Sequence, residues 1–137
     1  MLLTGKRVFV VEDNFSSKAI AQTLLEREGA TVFADAWGMQ TIMYLKVFGP
    51  MDVILLDLVL PGQVSGFDVF KEIHQIHQFA KIPIVAVSGM DPTRAIPQAQ
   101  TLGFAGFISK PIDFVCFAKQ IKQILSGELL WTTSENL

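Results

Sequence analysis

Near the middle of the chain lies the sequence Asp52-Val-Ile-Leu-Leu-Asp57-Leu-Val-Leu-Pro61-Gly62. A run this rich in leucine and β-branched residues predicts a strand covered on both faces, as at the centre of a parallel sheet. Asp57 interrupts the run just before the loop signal Pro61-Gly62, so its side chain should lie near the exit of the strand. Parallel sheets bind ligands at the carboxyl ends of their strands. We therefore expect Asp57 to carry the chemistry of this protein.

Similar apolar runs alternate with stretches of helical periodicity along the chain, without repeats or low-complexity linkers. We predict strands at 7–11, 31–34, 53–57, 84–88 and 106–109. We predict helices at about 16–28, 37–48, 66–77, 94–102 and 112–125. The fourth helix is placed from residue 94 because Pro97 would cost about 3 kcal/mol in a helix interior. Five βα units predict an α/β fold, a doubly wound five-stranded parallel sheet with five helices in three αβα layers.

Composition narrows the class of protein. The chain has 137 residues, a size typical of one domain, and a formal net charge of −2, which gives no long-range attraction for nucleic acid. Its one cysteine, Cys116, permits no intrachain disulfide, and we expect a cytoplasmic location. No run approaches the ~20 apolar residues that span a bilayer, so we expect no membrane insertion. We expect a domain over 1–126, and 127–137 as a short C-terminal tail with no output domain.

Polar side chains follow four of the predicted strands: Glu12 and Asp13, Asp57, Ser88, and Lys110. Carboxylates gathered at one sheet edge would repel by about 4 kcal/mol per close pair at an effective dielectric near 20. A bound cation is therefore implied, and oxygen ligands suit Mg²⁺. Three carboxylates, Mg²⁺ and one lysine sum to a site near neutrality. A phosphoryl group on Asp57 would then find Mg²⁺, the lysine and the serine hydroxyl as partners.

This ordered set resembles the receiver domain of response regulators, the CheY-like superfamily of two-component signalling. The resemblance covers about residues 5 to 126 and is carried by Glu12-Asp13, Asp57 with Pro61-Gly62, Ser88-Gly89 and Lys110-Pro111. It implies a flavodoxin-like strand order 2-1-3-4-5. It also implies transfer of a phosphoryl group to Asp57 from the phosphohistidine of a histidine kinase or phosphotransfer protein, within a two-component system or phosphorelay.

The resemblance further implies the metal ligands. Asp13, Asp57 and the Val59 backbone carbonyl would bind Mg²⁺, and Glu12 would hold a metal-bound water. Such a domain is a signalling phosphoacceptor and not an enzyme, since it catalyses only its own phosphorylation and slow dephosphorylation.

The remaining roles concern the phosphoryl group and the signal. Ser88 and Lys110 would bind phosphoryl oxygens, Phe107 occupies the aromatic switch position, and Lys110-Pro111 would be a cis peptide. The signal would be a conformational shift of the face formed by helix 4, strand 5 and helix 5, through which a homodimer is possible.

Two positions influence hydrolysis of the phosphorylated aspartate in this family, and both hold apolar residues here. They are Val59, two residues after the phosphoacceptor, and Met90, two residues after Ser88. Neither side chain can orient a water molecule, so we predict a long-lived phosphoryl group. Phe107 also lacks the hydroxyl of a tyrosine, so any switch there depends on packing alone.

Other interpretations of the same residues stay open at this point. Taken singly, the strand-end residues have ordinary structural roles as solvated ends, caps or surface charges. A haloacid-dehalogenase phosphatase also uses a strand-end Asp with Mg²⁺, but requires a second Asp where Val59 stands. A flavin-binding protein would need a hydroxyl-rich phosphate loop. The main alternative is a pseudo-receiver, a protein-binding module that is never phosphorylated.

Overall fold

The predicted apolar runs form one parallel sheet in the computed structural model, which describes residues 1–132. Its strands are β1 Arg7–Val11, β2 Thr31–Asp35, β3 Val53–Leu56, β4 Ile84–Ser88, β5 Gly106–Ser109 and β6 Leu130–Trp131. Its helices are α1 Phe15–Arg27, α2 Thr41–Phe48, α3 Gly66–Gln75, α4 Pro92–Leu102 and α5 Phe117–Leu125, with a 3₁₀ turn at Pro61–Gln63. The strand order is β2-β1-β3-β4-β5-β6, and every pairing is parallel. The predicted order of the first five strands is confirmed.

Strand β3 is buried on both faces, as its composition predicts. Ile54 and Leu56 join one apolar cluster, while Val53 and Leu55 join a second cluster on the opposite face. Successive residues of a strand point to opposite sides of its sheet, so a strand covered twice is apolar at every position. Helices α2, α3 and α4 contribute to the first cluster, and α1 and α5 contribute to the second. This is the predicted three-layer arrangement.

Helix α4 begins at Pro92, earlier than predicted. The Asp91 side chain accepts a hydrogen bond from the Thr93 backbone N–H at 3.0 Å, and Pro92 stands in the first helical turn, where its missing N–H is not needed. Pro97 therefore lies inside the helix and is exposed. The expectation that Pro97 would delay the start of the helix was wrong, because the cap at Asp91 fixes that start.

Helices α2 and α5 begin later than predicted, each for a local reason. Before α2, the buried Asp35 carboxylate accepts hydrogen bonds from the Trp37 N–H at 3.1 Å and the Thr41 hydroxyl at 2.9 Å. These bonds hold the residues between them in a loop. Before α5, the Asp113 carboxylate accepts from the N–H groups of Val115 and Cys116 at 2.8 and 2.9 Å. Such side-chain bonds to the backbone compete with regular helix.

The predicted tail contributes a sixth, very short strand. Leu130 and Trp131 pair in parallel with Gly106 and Phe107 of β5. Residues 133–137 of the tail lie outside the described part of the chain. No helix within residues 1–132 combines the length and apolar character needed to cross a membrane.

Candidate functional site

The carboxyl ends of β1 and β3 bring three acidic side chains together. One carboxylate oxygen from each of Glu12, Asp13 and Asp57 lies within 4.8 Å of the other two. Asp57 is 7% exposed and Glu12 is 5% exposed, whereas Asp13 faces solvent. Backbone N–H groups orient the buried pair, since Val59 donates to Asp57 Oδ1 and Asn14 donates to Glu12 Oε2, both at 3.2 Å. The cluster has the oxygen-only composition that suits a hard divalent cation.

Lys110, which follows β5, supplies the positive charge that faces this cluster. Its Nζ lies 3.0 Å from Asp57 Oδ2 and also donates a hydrogen bond to Glu12 Oε1. The peptide bond between Lys110 and Pro111 is cis. The four side chains together carry a formal charge of −2, so a divalent cation would neutralise them.

Burial and charge shift the pKa values of two of these groups. Burial raises the pKa of Glu12 above its ordinary value of 4.5, and the hydrogen bond from Lys110 offsets only part of this effect. Burial alone would lower the pKa of Lys110, but the hydrogen bond to Glu12 and the charge of Asp57 outweigh it and raise the pKa above 10.5. Lys110 therefore stays charged across the physiological range.

Ser88 is the last residue of β4, and its backbone is bonded to Lys110. Its hydroxyl oxygen accepts a hydrogen bond from the Met90 N–H at 3.2 Å, and its carbonyl accepts one from the Lys110 N–H at 2.9 Å. The hydroxyl hydrogen is thus left to donate to another acceptor. Phe107 is fully buried in the first apolar cluster, and Met90 packs against the same cluster. Val59 is 63% exposed at the rim of the site.

Gly66 shapes this edge of the sheet, a role that was not predicted from the sequence. A Cβ atom added at Gly66 would lie 2.2 Å from the Asp57 carbonyl oxygen and 2.7 Å from Leu58 Cα. Both neighbours are backbone atoms, so only glycine permits α3 to begin this close to the end of β3. The signal available in the sequence was the pair Ser65-Gly66, in which Ser65 caps α3 through a 3.1 Å bond from the Phe67 N–H.

A cavity of about 430 Å³ extends from the acidic cluster between α1 and α5. Glu12, Asp57 and Lys110 form part of its wall, and most of the remaining wall is apolar. On α1 the wall is formed partly by two small residues one turn apart, Ser17 and Ala21. Sequence analysis did not predict this cavity, because its volume depends on how closely α1 and α5 approach the sheet.

The comparison with protein families decides how this geometry is interpreted. The family model described as the response regulator receiver domain matches residues 8–122 of the chain. The chain belongs to the response-regulator receiver family. It is therefore a receiver domain of two-component signalling, a class of domain that interacts with histidine kinases or phosphotransfer proteins. Membership decides against the phosphatase and flavin-binding alternatives.

Curated relatives of this receiver include both short and long proteins. The polar-differentiation response regulator DivK of Brucella ovis is 30% identical over 120 residues, which cover 88% of this chain and 96% of DivK. The CAI-1 autoinducer sensor kinase/phosphatase CqsS of Vibrio cholerae is 29% identical over 109 residues. Those residues cover 79% of this chain but only 16% of CqsS, so the receiver spans about a sixth of that relative.

Solved structures show the same fold. The chemotaxis response regulator CheY4 of Vibrio cholerae superposes with a TM-score of 0.79 at 22% identity, covering 88% of this chain and 99% of CheY4. The phosphorylated cyanobacterial phytochrome response regulator RcpA superposes with a TM-score of 0.73 at 28% identity, covering 87% of this chain and 90% of RcpA. The CheY-like, flavodoxin-like fold is thereby confirmed.

Proposed function

We propose that Asp57 accepts a phosphoryl group from the phosphohistidine of a histidine kinase or phosphotransfer protein. A carboxylate oxygen of Asp57 attacks phosphorus, the bond from phosphorus to the imidazole nitrogen breaks, and the electron pair of that bond stays on the imidazole. The observation that carries this proposal is the convergence of Glu12, Asp13 and Asp57 within 4.8 Å, with the Lys110 ammonium 3.0 Å from Asp57. A structural ion pair would need only one of these carboxylates.

The acidic cluster fits Mg²⁺ by its donor set. Asp13, Asp57 and the Val59 backbone carbonyl would bind the ion directly, and Glu12 would bind it through a water. The ion would neutralise negative charge on the phosphoryl oxygens as the incoming group approaches Asp57. Lys110 holds the Asp57 carboxylate in place before transfer and binds a phosphoryl oxygen afterwards.

The conformational signal would arise from the side chains that the phosphoryl group attracts. Phosphoryl oxygens on Asp57 compete with carboxylates for the Lys110 ammonium and offer an acceptor to the Ser88 hydroxyl. Because Ser88 is the last residue of β4 and Lys110 directly follows β5, their movement shifts the face formed by α4, β5 and α5. Phe107 lies fully buried within that face, which supports a role for its packing in the shift.

We also propose that the phosphoryl group is long-lived. Val59 and Met90 offer no polar side-chain atom that could position a water for attack on the acyl phosphate. A half-life of only seconds in Mg²⁺ would contradict this part of the proposal.

Incubation with a small-molecule phosphodonor and Mg²⁺, followed by intact mass measurement, tests the central step. We expect one added phosphoryl group on the parent chain and none on Asp57→Asn. The matched control is Asp68→Asn, which removes an exposed carboxylate on α3 and should be phosphorylated like the parent. Absence of the added mass from folded, Mg²⁺-binding parent protein would favour the pseudo-receiver alternative.

A further inference from the structure

Hydrogen bonds hold strand β6 against β5, and two of them share one carbonyl oxygen. The Leu130 N–H donates to the Ala105 carbonyl at 3.2 Å. The Thr132 N–H donates to the Phe107 carbonyl at 2.8 Å, and the Thr132 hydroxyl donates to the same oxygen at 3.2 Å. Thr132 is only 7% exposed. The segment after α5 therefore has a defined position beside β5, and both hydrogen bonds from Thr132 converge on the Phe107 carbonyl.

Gly106 in β5 lies directly against the backbone of β6. An added Cβ would lie 2.4 Å from the Leu130 carbonyl oxygen, and its three nearest atoms would all belong to the Leu130 backbone. The φ angle of Gly106 lies outside the left-handed region, so the local conformation does not demand glycine. Glycine is required here because the backbone of β6 approaches so closely, and backbone atoms cannot move aside as a flexible side chain can.

The same stretch of β5 leads directly to the phosphoacceptor. Phe107 pairs with Trp131, and both side chains pack in or against the first apolar cluster. Three residues later Lys110 donates its backbone N–H to Ser88 and its ammonium to Asp57. A change at Asp57 that draws Lys110 and Ser88 together therefore acts on the strand that carries β6.

We propose that β6 is a latch whose pairing with β5 is weakened when Asp57 is phosphorylated, an inference that rests on the function proposed above. New phosphoryl oxygens attract Lys110 and Ser88, the end of β5 moves toward β4, and the Phe107 peptide moves with it. Both Thr132 bonds share the Phe107 carbonyl, so one small displacement weakens both of them. Release of β6 uncovers the edge of β5.

A single tryptophan can report on the latch. The chain has two tryptophans, so Trp37→Phe leaves Trp131 as the only one, within β6. Phosphorylation with a small-molecule donor and Mg²⁺ is followed by intact mass, Trp131 emission and hydrogen exchange at Thr132. We expect a red shift of the emission and exchange at least about fivefold faster, the lower limit of ordinary coupling between sites. The additional variant Asp57→Asn should show neither change.

The reverse coupling is tested without phosphoryl transfer. Gly106→Ala should displace Leu130 and release β6. By linkage it should then raise the affinity for beryllium fluoride, a phosphoryl analogue, measured with Mg²⁺ present, by the same factor. Thr132→Pro removes the N–H donor and leaves β5 unchanged, so it replaces Gly106→Ala if that variant does not fold. Thr132→Val keeps the N–H, loses only the hydroxyl bond, and should have a smaller effect than Thr132→Pro.

The mass measurement separates the two proposals. An added phosphoryl group with unchanged Trp131 emission and unchanged exchange at Thr132 would overturn the latch and leave the phosphoacceptor function standing. No added phosphoryl group on the folded chain would overturn both. Equal affinity for beryllium fluoride in the parent and in a variant that has lost β6 pairing would also overturn the latch.

Discussion

Replacing Asp13 by Asn should stabilise the protein in the absence of Mg²⁺ and destabilise it relative to the parent when Mg²⁺ saturates. Asp13 lies within 4.8 Å of carboxylate oxygens on both Glu12 and Asp57. The Lys110 ammonium is bonded to those two residues. The substitution therefore removes two repulsions and leaves the ion pairs in place.

The size of the effect follows from Coulomb's law with solvent screening. Two unit charges 4.8 Å apart repel by about 0.9 kcal/mol at the dielectric of water and by about 3.5 kcal/mol at an effective dielectric near 20. Asp13 faces solvent, so the lower figure applies to each of its two pairs. Loss of a carboxylate next to the α1 N-terminus opposes this by a few tenths of a kcal/mol, and loss of its screened attraction to the Lys110 ammonium opposes it by a similar amount. We expect a net gain of about 1 kcal/mol in EDTA at low salt.

Saturating Mg²⁺ should make the parent more stable than Asp13→Asn. Binding to the native state alone stabilises the parent by about 2.7 kcal/mol at one hundred times the dissociation constant. Asp13→Asn loses a ligand and should gain much less. Urea unfolding followed by circular dichroism, in EDTA and in excess Mg²⁺, measures all four free energies. Glu72→Gln removes an exposed charge on α3 and should shift neither value by more than about 0.5 kcal/mol.

Either of two results would refute this reasoning. The first is an Asp13→Asn protein less stable than the parent in EDTA, which would mean that the carboxylate makes a favourable contact that outweighs the repulsion. The second is an equal gain from Mg²⁺ in both proteins, which would remove Asp13 from the metal ligands.

Four further perturbations test the same edge of the sheet. Gly66→Ala should lower the free energy of unfolding by about 1–3 kcal/mol and slow phosphorylation in the mass assay, because its Cβ meets the Asp57 backbone. Ser65→Ala should cost about 1 kcal/mol in urea unfolding through loss of the α3 cap, with phosphorylation retained. As pH falls from neutrality toward 4.5, native Glu12 takes up its proton before unfolded Glu12 does, so metal-free protein should gain stability that Glu12→Gln lacks. Raising the pH above 10.5 should lower the free energy of unfolding as Lys110 loses its charge, and Lys110→Met should lack that pH-dependent decrease in the same urea measurement.

The strands were predictable because their signal is local and redundant. A sheet buried on both faces requires an apolar residue at every position, and β3 meets that requirement over its whole length. The polar residues at strand ends stood out against this background, so Asp57 and Lys110 could be selected before the fold was known. Parallel pairing then places those ends at one edge, because all strands run in the same direction.

Helix boundaries and β6 depended on interactions that composition does not reveal. Asp35 and Asp113 each accept two hydrogen bonds that delay the following helix, although neither residue has an unusual sequence context. Strand β6 has two residues, too few for a periodic pattern, and its seat exists only once β5 has formed. The one residue in the sequence that relates to β6 is Gly106, and its role becomes visible only in the structure, where the Leu130 backbone lies against it.

In the proposed function, charge links metal binding to signalling at this one small site. Glu12, Asp13, Asp57 and Lys110 sum to −2, and a divalent cation brings them to neutrality. In the proposed reaction the charge of the Asp57 carboxylate would be replaced by up to two negative charges on phosphoryl oxygens that lie beyond it, a net addition of about one negative charge. Those oxygens would then compete with Glu12 for Lys110, and the Ser88 hydroxyl would gain an acceptor. Ser88 is the last residue of β4 and pairs with Ser109, and Lys110 directly follows Ser109. A local change in charge would therefore become a change in how β4 and β5 pair. The elements packed against β5, α4 and β6, are therefore where the effect should be measured.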